Sequence, residues 1–162
     1  MKKLLLCASL LSSLLLTSAC GGEEEEAENP DVEGCEHLQE GPAASVSAAT
    51  GAGAPAVDDD HRRYDIALGD VTGGKGGDVT FASSEAGDYI LFLGAAVPVA
   101  VLDAAGATLP FESSSASSTQ CAEIKARHVL ELGVGTYTLR FGPSSQASVG
   151  LVVEHSEHAH EG

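Results

Sequence analysis

The chain has 162 residues, with 24 Asp and Glu against eight Lys and Arg and a formal net charge of −16. Such an acidic chain repels phosphates, which argues against a nucleic-acid partner and against docking to anionic lipid by charge. Its length suits a single folded domain after a targeting segment.

Residues 1–19 have the layout of an export signal. Two lysines precede an apolar run that ends near Leu16, which is shorter than the ~20 residues of a membrane span. The next residues, "LTSAC", resemble the lipobox of bacterial lipoproteins, although Thr17 stands where that family prefers Leu. The resemblance implies cleavage before Cys20 and lipid on its sulfur and amine. The alternative is an ordinary secretory signal with an incidental cysteine.

Residues 20–40 are predicted to form a disordered acidic tether. Nine acidic residues fall between Glu23 and Glu40 with no Lys or Arg among them, so the segment cannot bury enough apolar surface to offset its chain entropy. Lipid on Cys20 would anchor the chain, at ~0.8 kcal/mol per buried methylene. We expect a lipid-anchored protein of the cell envelope. Gly21, rather than Asp, after Cys20 favours the outer membrane, facing the periplasm or the cell surface.

Two further cysteines, Cys35 and Cys121, are predicted to form a disulfide. Cys7 lies inside the signal and Cys20 is the lipidation candidate. Two cysteines left in an exported protein most simply pair with each other. Metal ligation is the less favoured alternative, because soft metal sites usually contain CxxC pairs.

Residues 41–155 are predicted to form one all-β domain. Short runs rich in β-branched and aromatic residues recur at close to ten-residue spacing between Gly, Asp and Ser clusters, which favours a sandwich or barrel. We expect a single antiparallel, jelly-roll-like β-sandwich of eight or nine strands. The runs are 45–48, 63–68, 78–82, 88–94, 97–103, 107–112, 124–132, 136–141 and 148–155.

The connections carry their own signals. "DAAG" (103–106) is typical of a tight connection between strands. "ESSSASSTQ" (112–120) indicates a polar surface loop, and residues 41–56 have few large apolar side chains and are expected to be partly ordered. "CAEIKARHVLEL" is predicted to be a strand rather than a helix, because alternate residues from Ile124 to Leu132 share one strand face.

Three stretches of this domain resemble the pre-peptidase C-terminal domain of secreted bacterial proteins. They are "AGDYILFLG", "VPVAVLDAAGATL" and "LELGVGTYTLRFGPSSQASVGLVVE". That family repeats a strand, a "v.D..G..l" turn and an "l.aGtYtlrv" strand. The resemblance extends from about Asp78 to His155 and implies a β-sandwich. Such domains are usually accessories in adhesion, secretion or carbohydrate contact, so no activity is implied.

Two internal motifs approach ligand-binding patterns. "GDVTGGKGGDVTF" (69–81) approaches the phosphate-binding GxxxxGK[ST], but Gly76 replaces the Ser or Thr that ligates magnesium. The same stretch approximates one calcium-binding nonapeptide with Asp78 in place, but a single copy cannot stack into a β-roll. We interpret it as a hairpin loop. "DDDH" (58–61) could bind a cation, but Arg62 and Arg63 oppose this, so a solvated acidic turn is preferred.

The C-terminal "EHSEHAHEG" is the remaining candidate site. His155, His158 and His160 alternate with carboxylates, and both groups bind Zn²⁺, Cu²⁺ or Ni²⁺. Residues 156–162 are expected to be a flexible tail that binds Zn or Cu weakly, not a required cofactor site. The other histidines and the tyrosines are interpreted as structural or surface residues. These are His37, His61, His128, Tyr64, Tyr89 and Tyr137.

Two classes of function follow. No catalytic residue is identified, so the first hypothesis is a non-enzymatic, membrane-anchored envelope lipoprotein whose β-sandwich contacts an unknown envelope protein or glycan. The alternative is a periplasmic metal-binding lipoprotein that uses the C-terminal histidines, with His128 or His61 as candidate further ligands.

Overall fold

The computed structural model describes residues 29–156. The predicted export signal, the lipidation candidate Cys20, and His158 and His160 of the tail lie outside the described residues. Within residues 29–156, no helix is long and apolar enough to span a membrane.

The described chain forms one helix and twelve strands, which confirms the predicted all-β sandwich. The helix α1 is Pro30–Gln39. The strands are β1 (Ala43–Ser47), β2 (Ala56–Val57), β3 (Arg63–Ala67), β4 (Gly69–Val71), β5 (Gly74–Ser83), β6 (Gly87–Leu93), β7 (Val99–Leu102), β8 (Thr108–Leu109), β9 (Ser113–Ser115), β10 (Ala126–Leu132), β11 (Gly135–Ser144) and β12 (Ser148–His155).

Two mixed sheets pack face to face. The first has the order β1-β3-β12-β6-β10-β9, and the second has β2-β5-β11-β7-β8, with β4 paired to β5. The sandwich is not purely antiparallel as predicted, because β1 pairs with β3, and β2 with β5, in parallel. The chain passes from β1 to β2 in the other sheet and returns to β3, which is the crossover that a parallel pair requires.

The strand count also exceeds the predicted eight or nine. The additional strands are two or three residues long, too short for alternating burial to identify them in a sequence. Ser113–Ser115, for example, lies in the stretch predicted to be a polar loop, yet pairs with β10 at the sheet edge. The predicted strand after Cys121 is confirmed as β10, and the "DAAG" stretch connects β7 to β8.

The first sheet is covered on both faces. Leu151 and Val153 of β12 point into the core between the sheets. Val152, between them, points outward and packs with Phe92 of β6 and Leu38 of α1. Since successive side chains of a strand alternate in direction, Glu154 also lies on the outward face, next to α1.

The structure differs from the predicted tether over residues 30–39, which form α1. The Asn29 side chain caps the helix by accepting a hydrogen bond from Asp31 N at 3.0 Å, and Pro30 suits the first turn. Gly34 lies so close to Phe92 that a Cβ would be 2.5 Å from the ring. The helix could not be predicted from the acidic composition of this segment, because only a few of its residues make the packing contacts.

The predicted Cys35–Cys121 disulfide is confirmed, with an S–S distance of 2.01 Å and a Cα–Cα distance of 5.7 Å. It joins α1 to the segment that precedes β10. The sequence separation is 86 residues, and closing a loop of that length stabilises the fold by about 4.6 kcal/mol in the chain-entropy model.

Candidate metal centre

Four metal-ligating side chains converge where α1 meets the end of β12. Glu33 and His37 come from α1, His61 from the loop between β2 and β3, and Glu154 from β12. Glu33 and His37 are four residues apart, so they lie on the same side of the helix. One ligand atom from each of the four lies within 4.8 Å of all the others. We name this group the His–Glu cluster.

Glu154 is at the centre of the His–Glu cluster. Its Oε1 lies 2.5 Å from Nδ1 of His37, and its Oε2 lies 3.2 Å from Nδ1 of His61. The same His61 nitrogen is 3.6 Å from Oε1 of Glu33. One carboxylate therefore contacts two imidazoles, and a second carboxylate lies beside one of them.

The centre of the cluster is shielded from solvent and its rim is open. The Glu154 side chain is 5% exposed, whereas that of His61 is 48% exposed. A carboxylate at such a depth is costly unless it is hydrogen-bonded, paired or bound to a metal. The exposed His61 would give an ion a route from solvent to the buried carboxylate.

His61 has an uncommon backbone conformation. Its φ is +48°, the left-handed region that residues with a side chain seldom occupy. Such conformations cost of order 1–3 kcal/mol and tend to occur at functional sites. Here the conformation accompanies the placement of the imidazole against Glu154.

The loop that carries His61 is held by internal contacts of the acidic stretch 58–61. The Tyr64 hydroxyl donates to Asp58 Oδ1 at 2.5 Å. Burial and this hydrogen bond raise the pKa of Tyr64 to about 12. Arg62 contacts both Asp58 and Asp60, at 3.8 and 3.4 Å. These carboxylates therefore serve the loop, which agrees with the interpretation of an acidic turn.

The cluster spacing suits a tetrahedral ion of the zinc type. Zinc bonds of ~2.0–2.1 Å to nitrogen and oxygen place neighbouring ligand atoms roughly 3.3–3.4 Å apart. The His61–Glu154 and His61–Glu33 distances, 3.2 and 3.6 Å, bracket this value. The His37–Glu154 contact of 2.5 Å is a hydrogen bond that has to open. Binding at His37 Nδ1 would release any proton that this nitrogen carries.

Of the histidines considered as ligands from the sequence, the structure brings His61 into this cluster and leaves His155 and His128 out of it. His158 and His160 lie outside the described residues. His155 points into the sandwich, is 2% exposed, and lies with its ring 4.7 Å from that of Tyr89. His155 also lines a cavity that His61 borders, and the tail site stays a prediction. His128 stacks on Phe111 at 4.4 Å, and burial lowers the pKa of His128.

The other motifs have structural roles in the described residues. The stretch 69–81 forms the β4–β5 hairpin, as interpreted. Asp78 accepts two hydrogen bonds of 2.9 Å from Arg140 on the neighbouring strand β11. Arg140 thus occupies the carboxylate that the calcium motif would use.

Sequence reasoning missed Glu33, His37 and Glu154 as ligands. The four-residue spacing of Glu33 and His37 was a readable signal, but only if the segment was recognised as a helix. Nothing local links His61 to Glu154, which is 93 residues later.

No model of a known protein family matches the chain, and a comparison with curated proteins finds no match. The assignment therefore depends on the geometry of the cluster.

Proposed function

We propose that this protein is a non-enzymatic, lipid-anchored envelope protein whose β-sandwich binds one divalent transition-metal ion, with Zn²⁺ favoured, at the His–Glu cluster. The observation that carries the proposal is the shielded Glu154 carboxylate in contact with two imidazoles. Imidazole and carboxylate ligands suit Zn²⁺, and Cu²⁺ or Ni²⁺ are the competing ions. This differs from the metal-binding hypothesis drawn from the sequence, which used the C-terminal histidines.

The charge of the cluster matches a divalent cation. Metal ligation uses the ionised carboxylate and the neutral imidazole, and in these forms the four side chains sum to −2, which one such ion neutralises. A simple structural ion pair would need only His37 and Glu154. The additional Glu33 carboxylate, and His61 in an unfavourable backbone conformation, are better explained by a bound ion.

The proposed anchor would keep the cluster close to the membrane. Eight residues, 21–28, separate the lipidation candidate Cys20 from the first described residue. Even fully extended, this segment reaches only about 30 Å. Because α1 follows directly, its two ligands would lie near the bilayer surface. An interaction with an envelope protein or glycan stays a prediction.

Calorimetric titration of the purified, disulfide-oxidised protein with Zn²⁺ tests the proposal. We expect one ion per chain, and at least a tenfold weaker affinity in Glu154→Gln and in His61→Asn. Asn tolerates the left-handed backbone of His61, so the second substitution removes the imidazole with little other change. Matched controls are His128→Asn and Glu131→Gln, which remove the same groups outside the cluster and should bind as the unmodified protein does.

Truncation after Ser156 separates the two metal hypotheses. It leaves the cluster intact and removes His158 and His160, so binding should persist. Loss of binding on truncation, together with full binding by Glu154→Gln, would place the metal on the tail and overturn the proposal.

A further inference from the structure

We infer that the Cys35–Cys121 disulfide controls the metal affinity of the His–Glu cluster, so that thiol–disulfide exchange with a dithiol reductant regulates metal retention. The inference rests on the proposed function. It comes from the position of Cys35, which lies between the two helical ligands, two residues after Glu33 and two before His37.

The ligands and the disulfide hold opposite sides of α1. At 100° per residue, Glu33 and His37 lie about 40° apart on one side of the helix, whereas Cys35 lies roughly 160–200° away from them. Gly34 and Leu38, between these two directions, face the first sheet. The disulfide therefore prevents α1 from rolling about its axis, a motion that would carry both ligands away from Glu154.

The helix has little stability of its own. It has ten residues, below the 12–15 at which isolated helices become even marginal in water. Its non-covalent attachments include an ion pair of 2.9 Å between Asp31 and Arg127, and a 2.7 Å hydrogen bond from Arg63 to the Leu38 carbonyl. Besides the main chain that continues to β1, the disulfide joins α1 covalently to the segment before β10, and its Cys121 end is buried.

Metal binding and closure of the disulfide influence each other in both directions. Exchange with a dithiol breaks the protein S–S bond, transfers two hydrogens to Cys35 and Cys121, and leaves the reductant as a disulfide. If closure of the disulfide raises metal affinity by a given factor, bound metal stabilises the closed disulfide by the same factor. A tenfold coupling would lower the reduction potential by about 30 mV. Metal uptake by the freed thiols would oppose this shift, so the test must exclude thiols as ligands.

The first experiment compares Zn²⁺ affinity between the oxidised protein and the Cys35→Ala/Cys121→Ala double variant, by competition with a chromophoric chelator. Alanine neither bridges nor ligates, so we expect at least tenfold weaker binding. Leu130→Ala is the matched control: it destabilises the core between the sheets without touching α1, and its affinity should equal that of the unmodified protein.

The second experiment uses the unmodified chain and does not depend on the folding of the double variant. A phosphine reductant cleaves the disulfide irreversibly, taking its oxygen from water while the two hydrogens go to the thiols. Cys121 is buried, so the reductant reaches the disulfide more readily when α1 moves away from the sheet. A bound ion that holds α1 in place should therefore slow this cleavage severalfold, and Glu154→Gln should abolish the slowing. Because the step is irreversible, later metal uptake by the thiols cannot alter the measured rate.

The outcomes distinguish this inference from the proposed function. Absence of Zn²⁺ binding by the oxidised protein would remove both. Equal affinity of the oxidised protein and the folded double variant, or equal cleavage rates with and without Zn²⁺, would overturn the coupling and leave the metal site standing.

Discussion

Zinc should raise the thermal midpoint of the oxidised protein by about 10 °C when free Zn²⁺ is a hundredfold above Kd. The four ligands come from three separated elements and meet only in the folded chain, so the ion binds the native state. Such binding adds about 2.7 kcal/mol to the free energy of unfolding. Residues 29–156 comprise 128 residues, and an unfolding entropy of ~2.1 cal/mol/K per residue gives ~0.27 kcal/mol per degree.

The critical perturbation is Glu154→Gln, which should abolish the zinc-dependent shift. It should also destabilise the metal-free protein, because the Glu154 carboxylate contacts two imidazoles at 2.5 and 3.2 Å. Hydrogen bonds to charged groups contribute about 1.5–3 kcal/mol. With the conversion above, the metal-free midpoint should fall by about 6–11 °C.

Differential scanning calorimetry near neutral pH, with and without Zn²⁺ and after addition of a chelator, measures both effects. A zinc-dependent shift that survives in Glu154→Gln would refute the assigned ligands. Absence of any shift in the unmodified protein, with binding that disappears on truncation after Ser156, would instead indicate a tail that binds zinc equally well in the folded and unfolded chain.

Three further predictions test other parts of the structure. Burial lowers the pKa of His128, so the unfolded chain binds more protons than the native state below pH ~6.5. The contribution of His128 to stability should therefore be full above that pH and decline as the pH falls. Thermal melts of metal-free His128→Gln should show a flatter pH dependence. Gly34→Val should cost about 1–3 kcal/mol and weaken zinc binding, because its Cβ would lie 2.5 Å from the Phe92 ring; unchanged denaturant midpoints would contradict the close packing of α1. Cys20→Ser should release the protein from the membrane fraction or stall its processing; cleavage with unchanged membrane fractionation would argue against a lipid anchor.

Much of the sandwich was readable from the sequence because its signals are local. Alternation such as that of "TYTLRF" identifies a strand with one buried face, and it predicted β11 without reference to other strands. The turn at 103–106 follows from its own residues: Asp103 Oδ1 accepts from the amides of Ala105 and Ala107, and Gly106 has φ +81°. The Cys35–Cys121 pair followed from elimination among four cysteines.

The helix and the candidate site depended on tertiary structure. By composition, residues 30–39 read as a solvated acidic segment, and they become a helix through contacts with Phe92 and Cys121, which are distant in the sequence. Only then do Glu33 and His37 share a side, and only the pairing of β12 with β3 and β6 places Glu154 beneath them. Metal ligation requires atoms within a few ångströms of one another, whatever their separation along the chain, so residue type and local spacing could not specify this site.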